Sequence, residues 1–299
     1  MKNLQDRFCW YQEEKSGADV SPKESTGGKP AEEQGGQKDR DGQARQSAGG
    51  MRMTIMTEEM TFVRKDGKRI RGRIYLPERQ GEKLPIVIFC HGFGSNYREL
   101  MHHGEGFAEA GICCLFFDFC GGGPESFSDG GFEEMTVGTE CEDLETVIGC
   151  VKALDYVDPR RVFLQGESMG GLVSAMAAAR RPEDIRALAL WYPAFVIPEG
   201  ARKRYEAGER EVFGLRLGEA FDREAKDIDI YGILPAYRGP VLMIHGDQDE
   251  IVPLCYSERA LSVYGDARLI VIPGAGHGYD GADSAAARKY SIDFLRAQI

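Results

Sequence analysis

Beyond Thr61 the chain alternates short apolar runs with longer stretches whose apolar side chains recur at helical spacing. The runs Ile86–Cys90, Ile112–Asp118, Val162–Gln165, Ala187–Trp191, Val241–His245 and Leu269–Ile272 contain few polar residues. A strand with one wet face would alternate instead, so these runs predict strands buried on both faces, as in a parallel sheet covered by helices. Two earlier runs, Thr61–Arg64 and Ile70–Tyr75, flank the turn pair Asp66-Gly67 and predict an antiparallel hairpin at the start of the domain. Leu144, Val147, Ile148, Val151 and Leu154 share one helical face behind Thr139-x-x-Glu142, which has the form of a capping box. Further helices are predicted over about 97–110, 169–180, 254–264 and 283–297. This order of elements predicts an α/β fold with a mostly parallel, doubly wound sheet.

Two segments break the pattern. Residues 1–50 are dominated by Gly, Lys, Glu and Gln, and their one aromatic cluster is Phe8–Tyr11. Such a composition buries too little apolar area to offset its ordering entropy, which predicts a disordered polar tail and leaves residues 51–299 as the domain. The second segment runs from about Ala194 to Ala236, where Arg202, Lys203, Arg204, Glu206, Glu209, Arg210 and Glu211 are mixed with a few aromatics. It is too long for a simple loop and too irregular for another sheet unit, so it is expected to form a small cap inserted between two strands.

Composition narrows the function. The 37 Lys and Arg against 48 Asp and Glu give a net charge of −11, the opposite of the basic footprint that nucleic-acid binding requires. No apolar run approaches the ~20 residues that cross a bilayer, and the first twenty residues lack the apolar centre of a secretory signal. A cytoplasmic location without membrane partners is therefore expected. Of the eight cysteines, Cys90, Cys113, Cys114 and Cys120 sit in or beside apolar runs and no CxxC pair occurs, so the thiols are expected to pack as small hydrophobes. The pair His102-His103 lacks a metal-binding frame and is expected on a helix surface, and Gly121-Gly122-Gly123 fits no phosphate-loop pattern and reads as a turn. Neither a metal nor an organic cofactor is expected, and the pattern leaves the oligomeric state open.

The sharpest chemical signal is Gly166-Glu167-Ser168-Met169-Gly170, between the run Val162–Gln165 and the Ala-rich stretch Leu172–Ala179. At a strand-to-helix elbow the serine is held in a strained backbone conformation, and glycines flank it because side chains there would collide with neighbouring elements. A serine hydroxyl is a poor nucleophile at neutral pH, so it needs a base, and the base needs an orienting carboxylate. Downstream, His277 follows the last apolar run, while Asp247, Asp249 and Glu250 follow the run before it and Asp118 ends another. Acyl transfer also needs donors for the developing oxyanion. The backbone N–H groups of Phe93, after the run Ile86–Cys90, and of Met169, next to the serine, are placed to supply them.

Together, HGFG at 91–94, Asp118-Phe119, Ser128-Asp129-Gly130, Met135-Thr136-Val137 with Glu142-Asp143, GESMGG at 166–171, HGDQDEIVP at 245–253 and GAGHG at 274–278 resemble the α/β-hydrolase superfamily, and within it the bacterial cinnamoyl and feruloyl esterases. The resemblance covers residues from about 60 to 299 and selects Asp249 as the carboxylate, through the spacing HGxxDxxVP. It implies an α/β-hydrolase fold and a serine carboxylesterase acting on a small-molecule ester, of a hydroxycinnamoyl or medium acyl group, through an acyl-enzyme on Ser168. Phe93, Phe195 and Ile197, with Val196, Tyr205, Phe213 and Leu215 near them, would then wall the acyl pocket. A thioesterase, an acyltransferase or a prolyl-oligopeptidase-like peptidase would use the same triad, and a ligand-binding homologue without turnover would keep its shape. Two departures adjoin the pocket: Glu167 stands where many relatives carry histidine, and Cys120–Pro124 replaces a more polar turn. Deletion of residues 1–50 is expected to leave activity and melting temperature nearly unchanged. A fall of many degrees in calorimetry would mean that Phe8–Tyr11 docks on the domain.

Overall fold

The computed structural model describes residues 54–78 and 80–299, so the tail predicted over residues 1–50 lies outside the described residues. The sheet opens with the hairpin β1 (Ile55–Val63) and β2 (Arg69–Pro77), in which Val63 faces Arg69 and Ile55 faces Pro77 around a turn whose Gly67 has φ +88°. Both strands outrun their apolar runs. β1 is an outermost strand with mostly exposed side chains, so its polar residues pair through the backbone and leave no apolar pattern to read.

The remaining strands of this sheet are β3 (Leu84–Cys90), β4 (Cys113–Phe117), β5 (Val157–Glu167), β6 (Ala187–Trp191), β9 (Val241–Gly246) and β10 (Ala267–Ile272), with the short strands β7 (Glu211–Val212) and β8 (Leu215–Arg216) forming a separate ribbon. The order across the eight-stranded sheet is β1-β2-β4-β3-β5-β6-β9-β10. β2 pairs antiparallel with β1 and β4, and every later pairing is parallel, Ile88 of β3 lying opposite Leu115 and Leu164.

Helices cover both faces: α1 (Gly104–Glu109), α2 (Val137–Lys152), α3 (Met169–Arg180), α4 (Ile197–Ala207), α5 (Glu219–Ala225), α6 (Ile230–Ile233), α7 (Cys255–Val263) and α8 (Gly281–Arg296). The period of two along β3 sends Ile86, Ile88 and Cys90 to one core, with Leu144, Val147, Val151 and Leu172 from α2 and α3. It sends Val87 and Phe89 to the other, with Phe107 of α1 and Leu295 of α8. Among the described residues no helix is long and apolar enough to cross a membrane.

Four local expectations need correction. The capping box of α2 lies one turn earlier than Thr139-x-x-Glu142: Thr136 is the N-cap, its side chain accepts from the Thr139 N–H, and the Thr139 hydroxyl accepts from the Thr136 N–H. The helix predicted over 97–110 is broken into 3₁₀ turns at Tyr97–Glu99 and Met101–His103 before α1 begins. The tighter 3₁₀ pitch turns His103 inward, so only His102 is exposed. His103 is buried, its ring parallel to Phe89 and edge-on to Trp191 at 5.0 Å. Finally, Tyr205 of α4 is exposed under the Lys226 ammonium rather than walling a pocket.

The segment over 194–236 consists of α4, the β7–β8 ribbon, α5, α6 and a 3₁₀ turn at Leu234–Ala236. It is tied internally by Arg204, whose guanidinium donates to the buried Asp222 carboxylate, Nη2 to Oδ1 at 2.6 Å. Farther along, Trp191 at the end of β6 donates its indole N–H to Ser291 Oγ of α8 at 2.8 Å, with both residues buried. Ser291→Ala leaves that N–H without a partner and is expected to lower the unfolding free energy by about 1–3 kcal/mol in urea titrations. No change in midpoint would mean that the bond contributes nothing.

Candidate active site

The carboxyl ends of β3, β5, β6, β9 and β10 lie along one edge of the sheet, where loops of an α/β fold gather their chemistry. Ser168 follows β5 and stands before α3 with φ 51° and ψ −117°, in the left-handed half of backbone space that a non-glycine residue occupies only when its surroundings enforce it. The enforcement is visible. Its N–H donates to Trp191 O, and its carbonyl accepts from Ala194, Gly171 and Leu172. A Cβ at Gly166 would lie 2.4 Å from Gly170 O, and one at Gly170 would lie 2.2 Å from Cys90 O. The two flanking glycines let strand and helix approach closely enough to hold the elbow.

His277 reaches Ser168 from the loop after β10, its Nε2 2.9 Å from Ser168 Oγ and its Nδ1 2.8 Å from Asp249 Oδ2. Asp249 Oδ1 accepts from the N–H groups of Ile251 and Val252, and His245 Nε2 lies 3.2 Å from Oδ2. Burial by itself raises this carboxyl, but hydrogen bonds from His245, His277 and Val252 outweigh it and hold the group well below the usual carboxylate range. Asp249 is therefore ionised at neutral pH and orients the imidazole.

The other acids go elsewhere. Asp118 is buried and accepts from the N–H groups of Tyr97 and Phe127, Asp247 accepts from Gly274 N–H, and Glu250 is exposed. Of the four carboxylates that the sequence offers, the structure brings Asp249 to His277.

The loop after β3 lies against the serine: a Cβ on Gly92 would be 3.4 Å from Ser168 Cβ and 3.9 Å from its Oγ. His91 fixes that loop. Its Nε2 accepts from Phe119 N–H, which assigns the proton to Nδ1, and Nδ1 donates to Gly92 O at 2.9 Å. Phe93 N–H donates to no backbone carbonyl among the described residues, and Met169 N–H belongs to the first turn of α3, where amide donors face outward. Gly94 N–H donates to Gly122 O, so the glycine run at 121–123 is the turn that backs this loop.

Phe93 packs among aromatic rings, with Phe132 at 5.4 Å and Phe213 and Phe221 of the insertion each at 6.3 Å. Leu215 reaches the same loop, its Cδ1 2.7 Å from where a Gly94 Cβ would lie. Phe195 is buried in the core with its ring toward Tyr231, and Ile197 packs half-buried against that core at the start of α4. The sequence gives no sign of Phe132 and Phe221 beside Phe93, because their contact depends on how the insertion folds back. It is equally silent on Tyr192, whose ring lies 4.7 Å from that of His277.

The fold has counterparts among known proteins. Est1E from Butyrivibrio proteoclasticus, solved with ferulic acid bound, superposes with a TM-score of 0.70 at 30% identity over 79% of this chain and 98% of that one. The chain belongs to the α/β-hydrolase superfamily. The family described as serine aminopeptidase, S33, matches residues 81–217 of this hydrolase, a range that includes Ser168 and stops short of Asp249 and His277. A monoacylglycerol lipase of Mycolicibacterium smegmatis is 24% identical over 258 residues, 73% of this chain and 89% of the lipase. An uncharacterized Mycobacterium tuberculosis protein is 28% identical over 215 residues, 71% and 69% of the two chains.

Because a methyl group at Gly170 would press on the Cys90 carbonyl, Gly170→Ala is expected to cost about 1–3 kcal/mol of stability and to displace Ser168. Denaturant titration beside an activity assay checks both effects, and unchanged values in both would contradict the packing described.

Proposed function

We propose that this α/β-hydrolase is a serine carboxylesterase that cleaves esters of hydroxycinnamoyl or medium-length acyl groups through an acyl-enzyme on Ser168. One observation supports the reading above all others: the unbroken hydrogen-bonded chain from Asp249 through His277 to Ser168. In this mechanism His277 Nε2 takes the Ser168 proton as Oγ attacks the ester carbonyl, and Asp249 stabilises the imidazolium that results. The Phe93 and Met169 N–H groups receive the oxyanion, His277 returns its proton to the departing alcohol, and a water activated the same way releases the acid.

The acyl preference rests on the rings around Phe93, which offer an apolar wall, and on the likeness to Est1E, a structure with ferulic acid bound. The segment over 194–236 then acts as the cap that the sequence suggests, contributing Phe213, Leu215 and Phe221 to the acyl site while the sheet carries the reacting groups.

Ser168→Ala and His277→Ala are each expected to lower kcat about 10⁴- to 10⁶-fold, with the double variant barely worse than either, because the two act as a unit. Losses that multiply would remove the assignment. Phe213→Ala is expected to lower kcat/KM about tenfold for methyl ferulate and to change 4-nitrophenyl acetate hydrolysis less than twofold, the difference that burying a ring against an acyl group makes. A thioester or amide outrunning both esters would move the reading to a thioesterase or peptidase. Saturable binding without turnover would leave a ligand-binding homologue.

A further inference from the structure

The groups assigned so far leave out a buried pair beside them. Tyr192 follows β6 with φ 36°, a second strained residue, and is held there by its N–H on Ile244 O at 2.8 Å. Its ring is buried, 4.7 Å from the His277 ring and 4.6 Å from Tyr279, and its hydroxyl donates to Glu167 Oε2 at 2.8 Å. Glu167 is the residue before Ser168, and its Oε1 is buried without a hydrogen-bond partner. Imidazole hydrogen bonds at Nδ1 and Nε2 fix two points and do not by themselves set the tilt about the line between them. The Tyr192 ring, inclined at 58° to the imidazole, bears on that tilt. Nothing else assigned to the site explains why a carboxylate is buried at this position.

We propose that Glu167 and Tyr192 are a positioning pair for His277: the carboxylate anchors the Tyr192 hydroxyl, and the anchored ring holds the imidazole in line between Asp249 and Ser168. The proposal rests on the assignment of Ser168 and His277 made above and adds a second carboxylate to the site.

The pair is also sensitive to pH. Burial pushes Glu167 up to about 7, the Tyr192 hydrogen bond opposing this and the charge of Glu99 adding to it. The groups facing it are Glu99 and His103 from the 3₁₀ turns, Tyr192 from the end of β6 and Tyr279 from the His277 loop, with Asp249 beyond on His277. His103 Nε2 lies 3.8 Å from Glu167 Oε1, but burial pushes this imidazole down to about 2, so it stays neutral and supplies no counter-charge. Below its midpoint Glu167 is a neutral acid and accepts a weaker hydrogen bond from Tyr192. Above it the bond is charge-assisted and the anchor strengthens.

The test uses the second-order rate of Ser168 labelling by a fluorophosphonate, in which serine oxygen displaces fluoride from phosphorus while His277 accepts the proton. This readout assumes no substrate class. The ratio of wild-type to Glu167→Gln rates is expected to rise from about 1 at pH 5.5 to about 5 at pH 8.5, and taking the ratio cancels the titration of His277 itself. Glu167→Ala is expected to lose about tenfold at pH 8, about twice the loss in Glu167→Gln, which still accepts from Tyr192. In a Tyr192→Phe background the Glu167→Gln ratio should be flat with pH. A flat ratio with Tyr192 intact overturns the proposal, as does an undiminished pH response in Tyr192→Phe. If Tyr192→Phe does not fold, the Glu167→Gln ratio decides alone. Absence of labelling in the wild type, or labelling that survives Ser168→Ala, would instead overturn the serine assignment.

Discussion

The backbone of Ser168 is the constraint on which the rest of the site depends. A residue at φ 51° and ψ −117° is costly by itself, and three neighbouring segments share the work of keeping it there. β6 accepts its N–H through Trp191, the start of the insertion donates to its carbonyl through Ala194, and the loop after β3 packs Gly92 against its Cβ. The same contacts that strain the serine therefore set the position of the loop with the proposed oxyanion donors and the direction in which the insertion leaves the sheet. Moving any one of them relaxes the serine and disperses the others.

How much of this was legible in the chain depends on which kind of order each part requires. Buried strands such as Ala187–Trp191 and the helix Met169–Arg180 agree with the apolar pattern residue for residue, because burial on both faces leaves few alternatives. The outer half of β1 was not legible, since a polar strand at a sheet edge is held by backbone pairing. Nor was the inward turn of His103, which follows from a local change of helix pitch at a point where the apolar pattern has no preference. That Ser168, Asp249 and His277 meet follows the spacing and the resemblance, and Phe213 was among the expected wall residues, but the other rings around Phe93 were not. Phe132 and Phe221 come from distant parts of the chain and reach Phe93 only through tertiary packing.

That division separates two kinds of structural order on the same edge of the sheet. The groups proposed to react stand on loops that follow β5, β9 and β10, close to hydrogen-bonded strand ends, where an error of an ångström would break the chain between them. The rings that face Phe93 across the edge stand on a short ribbon and a seven-residue helix, with their own internal tie between Arg204 and Asp222. Phe221 nonetheless belongs to the same buried core as β3 and β5, so the ring cluster and the sheet are packed as one.

The two carboxylates beside Ser168 and His277 show how local donors set acids of the same chemistry apart. Asp249 is buried, yet two backbone N–H groups and two imidazoles converge on it, so its charge is met on every side and it stays ionised. Glu167 is half-buried, its Oε1 fully so, with one donor, the Tyr192 hydroxyl, and a neutral imidazole beyond hydrogen-bond reach. Its charge is poorly met, and the proton is retained to about neutral pH. One acid is thus in its charged form at neutral pH, while the other changes state close to it. The same asymmetry acts on stability. The unfolded chain releases the Glu167 proton near the ordinary carboxylate value and the folded chain holds it to about 7, so stability is lost as pH rises between the two. For Asp249 the folded group releases its proton first, and stability is lost as pH falls below the ordinary value. At neutral pH the two therefore act in opposite directions: Asp249, met by donors of its own loop, adds stability, and Glu167, whose single donor is the ring beside the histidine, takes some away.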